Sequence, residues 1–188
     1  EAGQAAATSS FLQGSTIVRV TDPANRSKLA ELAGNQKYVE TAAEFLVFCA
    51  DLKRPGNFCR VYGKPFEGDF TEHFIIATVD VALMAQSLVT AAESEGLGIC
   101  YIGGIRNNPG PVSALLRLPQ GVYPVFGLCL GYPDQDPEIK PRLPVPVVVK
   151  QDYYNEEGDA DQIEEYDEAI KEYYRTRTGG GHGISWSE

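Results

Sequence analysis

Apolar positions fall into short runs punctuated by glycine, proline and polar clusters. The longest lies within residues 71–95, where Phe74, Ile75, Ile76, Val79, Val81, Ala82, Leu83, Met84, Leu88 and Val89 leave no wide polar face. A helix apolar nearly all round must be covered on several sides. Residues 44–51 (Phe45-Leu46-Val47-Phe48 at their centre), 97–102 and 123–130 predict strands apolar enough for cover on both faces. Residues 15–20 alternate and predict another strand. Asp22 before Pro23 marks the start of a helix over 23–33, which Gly34 ends. Shorter helices are expected from Asn35 to Val39 and over 111–116, and residues 1–7 read as the last turns of a helix. Residues 161–175 predict an amphipathic helix with Ile163, Tyr166, Ile170 and Tyr173 on one side and an Asp167–Lys171 pair at i,i+4. Residues 145–149 read as an edge strand. Residues 53–69, with Pro55, Gly56, Gly63, Pro65 and Gly68, read as a polar loop, a lid or a variable insert.

One stretch, residues 96–108, organises the rest. Gly96 and Gly98 suit a helix C-cap, because glycine enters left-handed backbone without a Cβ clash. Gly103-Gly104 leaves main-chain N–H groups bare at a strand's carboxyl end, where ligands sit in open α/β sheets. The same pattern also describes an ordinary helix-to-strand connection ending in a turn, and both readings stand. Upstream, Thr8-Ser9-Ser10-Phe11-Leu12-Gln13 sets three hydroxyls, an aromatic and an amide in a row, as a turn or as contacts for a polar ligand. Gln36 is surface filler or an amide contact. Lys140 and Arg142 stand two apart across a proline and would point the same way in an extended chain. They form either an anion site, for which phosphate is the natural guest, or a solvated pair. Arg175-Thr176-Arg177 precedes a glycine-rich linker over 179–183, and the tail reads as flexible.

A chain of 188 residues is read as one domain with a sizeable core. Its formal net charge of −10 argues against a general nucleic-acid surface, though not against a small basic pocket. The apolar helix is long enough to raise a membrane question. Asp80 and Gln86 near its middle and His73 at its edge argue against insertion. Cys49, Cys100 and Cys129 lie in apolar strands and read as small buried hydrophobes, leaving Cys59 as the candidate reactive thiol. His73 and His182 lack companions at metal-ligand spacing, and no Ser/His/Asp arrangement is suggested.

Six stretches taken together resemble one family: residues 8–13, Gly34-Asn35-Gln36-Lys37, Gly98 to Asn108 (GICYIGGIRNN), Phe126 to Gly131 (FGLCLG), Lys140-Pro141-Arg142-Leu143-Pro144, and Tyr173 to Arg177 (YYRTR). They are similar to the oxygen-insensitive NADPH nitroreductase and flavin reductase group, the A-type major nitroreductases of the nitroreductase superfamily. The resemblance covers nearly the whole chain. It implies an α+β fold with a mostly antiparallel central sheet flanked by helices. It implies a cytoplasmic homodimer with FMN at the subunit interface and the long helix at the dimer core, and this displaces the parallel-sheet rule invoked above. Carried over residue by residue, Ser9, Ser10 and Gln36, with Thr8, would contact the flavin. Tyr101, Ile102, Gly103 and Gly104 would line the isoalloxazine. Lys140 and Arg142 would hold the FMN phosphate, Phe11 would border the substrate, and Arg177 would meet the 2′-phosphate of NADPH. The implied chemistry is ping-pong hydride transfer from NADPH through FMN to nitroaromatic, quinone or flavin acceptors, with no catalytic side chain. Free flavin as the true acceptor is an alternative. The family's opening His-Arg-Ser-x-Arg-like segment lies upstream of Glu1, and the family continues past Trp186, so the resemblance implies a chain clipped at both ends. A non-catalytic flavin-binding fragment is therefore a further reading.

Overall fold

The computed structural model describes residues 1–177 and 183–188. The chain falls into two compact units, Glu1–Pro133 and Asp134–Glu188.

The first unit is built on four strands, β1 (Ser15–Arg19), β2 (Glu44–Asp51), β3 (Gly98–Ile102) and β4 (Val122–Gly131). They form one fully antiparallel sheet in the order β1-β2-β4-β3. β2 shows why a continuous apolar run makes a central strand. Its successive side chains point to opposite faces. Phe45, Val47 and Cys49 enter one core, and Phe48 and Ala50 enter the other. The first core is covered by α1 (Pro23–Leu32), α2 (Tyr38–Thr41) and α5 (Pro109–Leu115), which contribute Leu29, Ala30, Val39 and Val112. The second is covered by α4 (Thr71–Ser94) through Ala77, Val81, Ala85 and Val89. At 24 residues α4 is about 36 Å long.

Local chemistry fixes several boundaries. The Asp22 carboxylate accepts the Asn25 N–H at 2.8 Å and caps α1, with Pro23 at its first position. α4 ends where Gly96 turns left-handed (φ 78°) and the Leu97 N–H bonds the Ala92 carbonyl at 3.0 Å. Gly98 is not part of that cap. It lies in β3, where a Cβ would come within 2.9 Å of the Pro133 ring. The β2–β4 register skips Val125 between the Phe48–Phe126 and Cys49–Pro124 pairs. Pro124 has no N–H to give the ladder, and it sits at this bulge as expected.

Residues 53–69 are not all loop, because α3 (Lys53–Val61) occupies their first half. Residues 145–149 are not an edge strand: Val145–Val148 is a short helix, α6, in the second unit. The 1–7 stub is a short 3-10 turn, Ala2–Ala5.

The second unit holds α6 and α7 (Asp159–Thr176). Tyr166 and Ile170 are the buried positions of α7. Lys171 pairs with Glu168 rather than with Asp167. Asp167 instead accepts the N–H groups of Trp186 and Ser187 at 3.0 and 3.2 Å, and Trp186 packs edge-on to Tyr166. Of the tail expected to be flexible, residues 178–182, including His182, lie outside the described residues.

Candidate functional site

Residues 8–13 form a turn that glycine would normally supply. Ser9–Phe11 is a 3-10 turn with Ser10 at φ 48°, ψ 26°, and Phe11 and Gln13 follow at φ 56° and 53°. Left-handed backbone costs a non-glycine residue roughly 1–2 kcal/mol. The surroundings hold it in place. The Thr8 hydroxyl donates to Asp80 Oδ2 at 2.5 Å, and the Ser9 N–H reaches both Asp80 oxygens at 3.0 and 3.1 Å. The Gln13 N–H returns to Thr8 Oγ1 at 2.9 Å. On the far side Arg54 donates to the Gln13 and Ser15 carbonyls at 3.4 and 3.1 Å. Arg54 is itself paired with buried Asp51 at 3.0 Å. A cavity of about 110 Å³ lies behind the turn, lined by Thr8, Gln13, Arg54 and Asp80 among others. Among the described residues the Ser9 and Ser10 hydroxyls take part in no hydrogen bond, and Phe11 is 77% exposed.

The end of β3 forms the second part. Val79, Ala82, Leu83 and Gln86 of α4, with Tyr101, Gly103, Arg106 and Phe126, line an open groove of about 540 Å³. Tyr101 stands edge-on to Phe126, with centroids 5.1 Å apart. Burial, with Glu93 adding to it, raises its phenol pKa. Ile102 is buried in the first core, so only its main chain is available to a ligand. The two glycines differ. A Cβ on Gly104 would lie 2.2 Å from the Ala33 carbonyl oxygen, so the 3-10 turn Gly103–Arg106 packs on the end of α1 with no room for a side chain. A Cβ on Gly103 would meet only the tip of Arg106, at 3.3 Å, and Gly103 faces the groove. The Arg106 Nη1 donates to the Val125 carbonyl at 2.7 Å, at the bulge of β4.

Gln36 is exposed on the loop after α1, where Gly34 and Asn35 take φ 85° and 60°. A Cβ on Gly34 would touch the Asn107 side chain at 3.6 Å, so this loop adjoins the Gly103–Asn107 segment. Gln36 thus stands on a loop that adjoins the segment following β3. The 8–13 turn is not hydrogen-bonded to them among the described residues and shares only α4.

In the second unit Lys140 Nζ donates to the Tyr174 hydroxyl and lies 4.8 Å from the centre of its ring. The lysine lowers the Tyr174 pKa, first through this hydrogen bond. Arg177 stacks 5.7 Å from the rings of both Tyr173 and Tyr174. Lys140 and Arg177, far apart in sequence, therefore meet on one tyrosine. Arg142 turns back to the carbonyls of Lys140 and Pro141 at 2.9 and 3.3 Å, so it does not point alongside Lys140 as an extended chain would have it.

Asp80, Arg54, Arg106 and Tyr174 were not singled out by the sequence as site residues. Arg106 and Tyr174 lie within the quoted motifs GICYIGGIRNN and YYRTR but carry no role there, and Asp80 is visible as a carboxylate in an otherwise apolar helix. The cysteines behave mainly as hydrophobes. Burial pushes the Cys49 and Cys129 thiols up to about 12. Cys59 lies half-buried on α3. Among the described residues no group of three or more His, Cys, Asp or Glu side chains is placed to hold a metal.

Residues 1–132 match the nitroreductase family, and residues 140–188 match the nitroreductase family, C-terminal domain. The chain is 49% identical over 188 residues to an NADPH-flavin oxidoreductase of Vibrio harveyi, covering 100% of this chain and 76% of that protein. It is 46% identical over 187 residues to an oxygen-insensitive NADPH nitroreductase of Salmonella typhimurium, with coverage of 100% and 76%. Among solved structures, the NfrA1 nitroreductase of B. subtilis superposes with a TM-score of 0.94 at 44% identity, covering 99% of this chain and 77% of that one.

Proposed function

This chain belongs to the nitroreductase family, and on that premise we propose that it is an NADPH-dependent FMN oxidoreductase acting on nitroaromatic, quinone or flavin acceptors in the cytoplasm. One observation carries the reading. Gly103 opens bare main chain onto an apolar groove large enough for a flat ring, beside Tyr101. Ligand sites of this kind are mostly apolar with a few placed polar groups.

The residues fit FMN. Gly103 and the main chain of Ile102 and Gly104 would lie against the ring, with Tyr101 at its side. Gln36, on the adjoining loop, would donate or accept at the ring's polar edge. Ser9 and Ser10 offer hydroxyls with no partner among the described residues, and Thr8 holds their turn. In the second unit Lys140 would bind the phosphate, and Arg142 would join it by turning from the Lys140 and Pro141 carbonyls, each charge-assisted contact adding roughly 1.5–3 kcal/mol. Arg177 would bind the 2′-phosphate of NADPH, and the exposed ring of Phe11 would border the acceptor. FMN, when bound, supplies the hydride chemistry between NADPH and the acceptor. The protein supplies binding and orientation.

The chain is also proposed to act as a homodimer. Phe74 and Ile75 of α4, outside the groove, are 55% and 48% exposed, apolar positions that a second copy would cover. The test is direct. Purified protein given FMN should turn yellow, and NADPH should bleach it faster than NADH. A protein that stays colourless with FMN would sink the reading.

A further inference from the structure

We propose that Asp80 is a positioning residue that sets the geometry of the flavin- and acceptor-facing turn, an inference that rests on the reading of Ser9, Ser10 and Phe11 given above. Asp80 lies in the middle of α4 and is 5% exposed. An ionised carboxylate only accepts hydrogen bonds. Both its oxygens are used by the turn: Oδ2 by the Thr8 hydroxyl at 2.5 Å, and both by the Ser9 N–H at 3.0 and 3.1 Å.

The consequence passes through Thr8. A hydroxyl has one proton to give. With that proton committed to Asp80, a lone pair of Thr8 Oγ1 is left for the Gln13 N–H at 2.9 Å. The relay Asp80, Thr8, Gln13 closes residues 8–13 into a ring. Within that ring Ser10, Phe11 and Gln13 hold positive φ without a glycine among them. Non-glycine residues stay in such a conformation only where surrounding contacts over-determine it, and such residues cluster at functional sites. Here the held conformation leaves the Ser9 and Ser10 hydroxyls unpaired among the described residues and the Phe11 ring exposed. The contact spans from α4 to a turn 71 residues earlier, so the core helix that lines the groove also sets the turn.

The experiment uses the purified protein freed of flavin, with three variants, Asp80→Asn, Thr8→Val and Thr8→Ser. Three quantities are read: FMN affinity by quenching of flavin fluorescence, exchange of the Gln13 amide, and the melting temperature without FMN. Asp80→Asn places an amide donor against a donor and should weaken FMN at least tenfold and speed Gln13 exchange at least tenfold. Thr8→Val should do the same, and Thr8→Ser, which keeps the hydroxyl, should recover most of both losses relative to Thr8→Val. Combining Asp80→Asn with Thr8→Val should be no worse than Asp80→Asn alone, since both break one relay. If Asp80→Asn fails to fold, the contrast between Thr8→Val and Thr8→Ser decides. Wild-type protein that binds FMN, with variants within twofold of it, overturns the role of Asp80 and leaves the functional reading intact. A lowered melting temperature with normal FMN affinity in the folded fraction also overturns it, as a purely structural role. Wild-type protein that does not bind FMN overturns both.

Discussion

The two adjacent glycines after β3 should respond oppositely to the same added methyl. In Gly104→Ala the new Cβ would start 2.2 Å from the Ala33 oxygen and 2.9 Å from its carbon, both backbone atoms at the end of α1. Ordinary contact begins near 3.4 Å, so about 1 Å of backbone movement is needed between two packed elements. Overpacking of this kind costs roughly 1–3 kcal/mol, and a backbone collision belongs at the upper end. Gly104 does not have positive φ, so alanine suits its dihedrals and returns about 0.4–1 kcal/mol by restricting the unfolded chain. The net loss is about 2 kcal/mol, or a drop of roughly 4–8 °C in melting temperature for a chain of this size. In Gly103→Ala the Cβ meets only the movable guanidinium of Arg106, at 3.3 Å. Stability should stay within about 0.5 kcal/mol, as for surface changes. The methyl would instead stand between the main chain and a ring in the groove and weaken FMN about tenfold, near 1.4 kcal/mol. Thermal melts of the flavin-free protein and fluorescence titration with FMN separate the two effects. A destabilised Gly103→Ala beside an unaffected Gly104→Ala would refute the assignment of one glycine to packing and the other to the ligand.

Losing the charges of both Lys140 and Arg142 (Lys140→Ala with Arg142→Ala) should release most FMN during gel filtration, and retention of full colour would remove their phosphate role. Arg177→Ala should raise KM for NADPH with little change for NADH in steady-state assays; equal losses with both would remove the 2′-phosphate contact. The Cys49 and Cys129 thiols, raised to about 12 by burial, stay protonated in the folded protein after an exposed thiol has ionised. Their stabilising contribution is whole below about pH 9 and is lost as pH rises towards 12, at about 1.4 kcal/mol per pH unit per thiol. Urea midpoints measured from pH 8 to 11 should fall less steeply in a Cys49→Ala, Cys129→Ala variant than in the wild type.

What the sequence disclosed follows the range of the forces involved. β2 matched its predicted bounds because burial on both faces demands an unbroken apolar run. α1 was announced by its own cap, Asp22-Pro23, and α4 by its length. α3 was hidden because Pro55 and Gly56 sit in its first turn, where they are tolerated though they look like loop. α6 was hidden because three valines suggest a strand, while Pro146 removes a ladder donor and suits a helix start. At the site, exposed polar residues with familiar neighbours were legible as a group. Their supports were not. Nothing near Asp80 or Thr8 in sequence announces that they meet, and nothing in residues 8–13 announces left-handed backbone, because no glycine or asparagine is there to mark it.

The strand order has a consequence for how the molecule is made. β2 lies between β1 and β4, but β4 comes after α3, α4 and β3 in the chain. During synthesis β1 and β2 emerge early and can pair, while one edge of β2 and both its apolar faces wait for the rest. Non-local pairing of this kind is slow, because a long loop must close before any contact repays it. Until Val122–Gly131 has left the ribosome, the nascent chain carries an open, apolar strand edge, the kind that other chains add to. The demand on chaperones should therefore fall on this interval of translation, and slow codons placed before β4 should lower soluble yield more than slow codons placed after it.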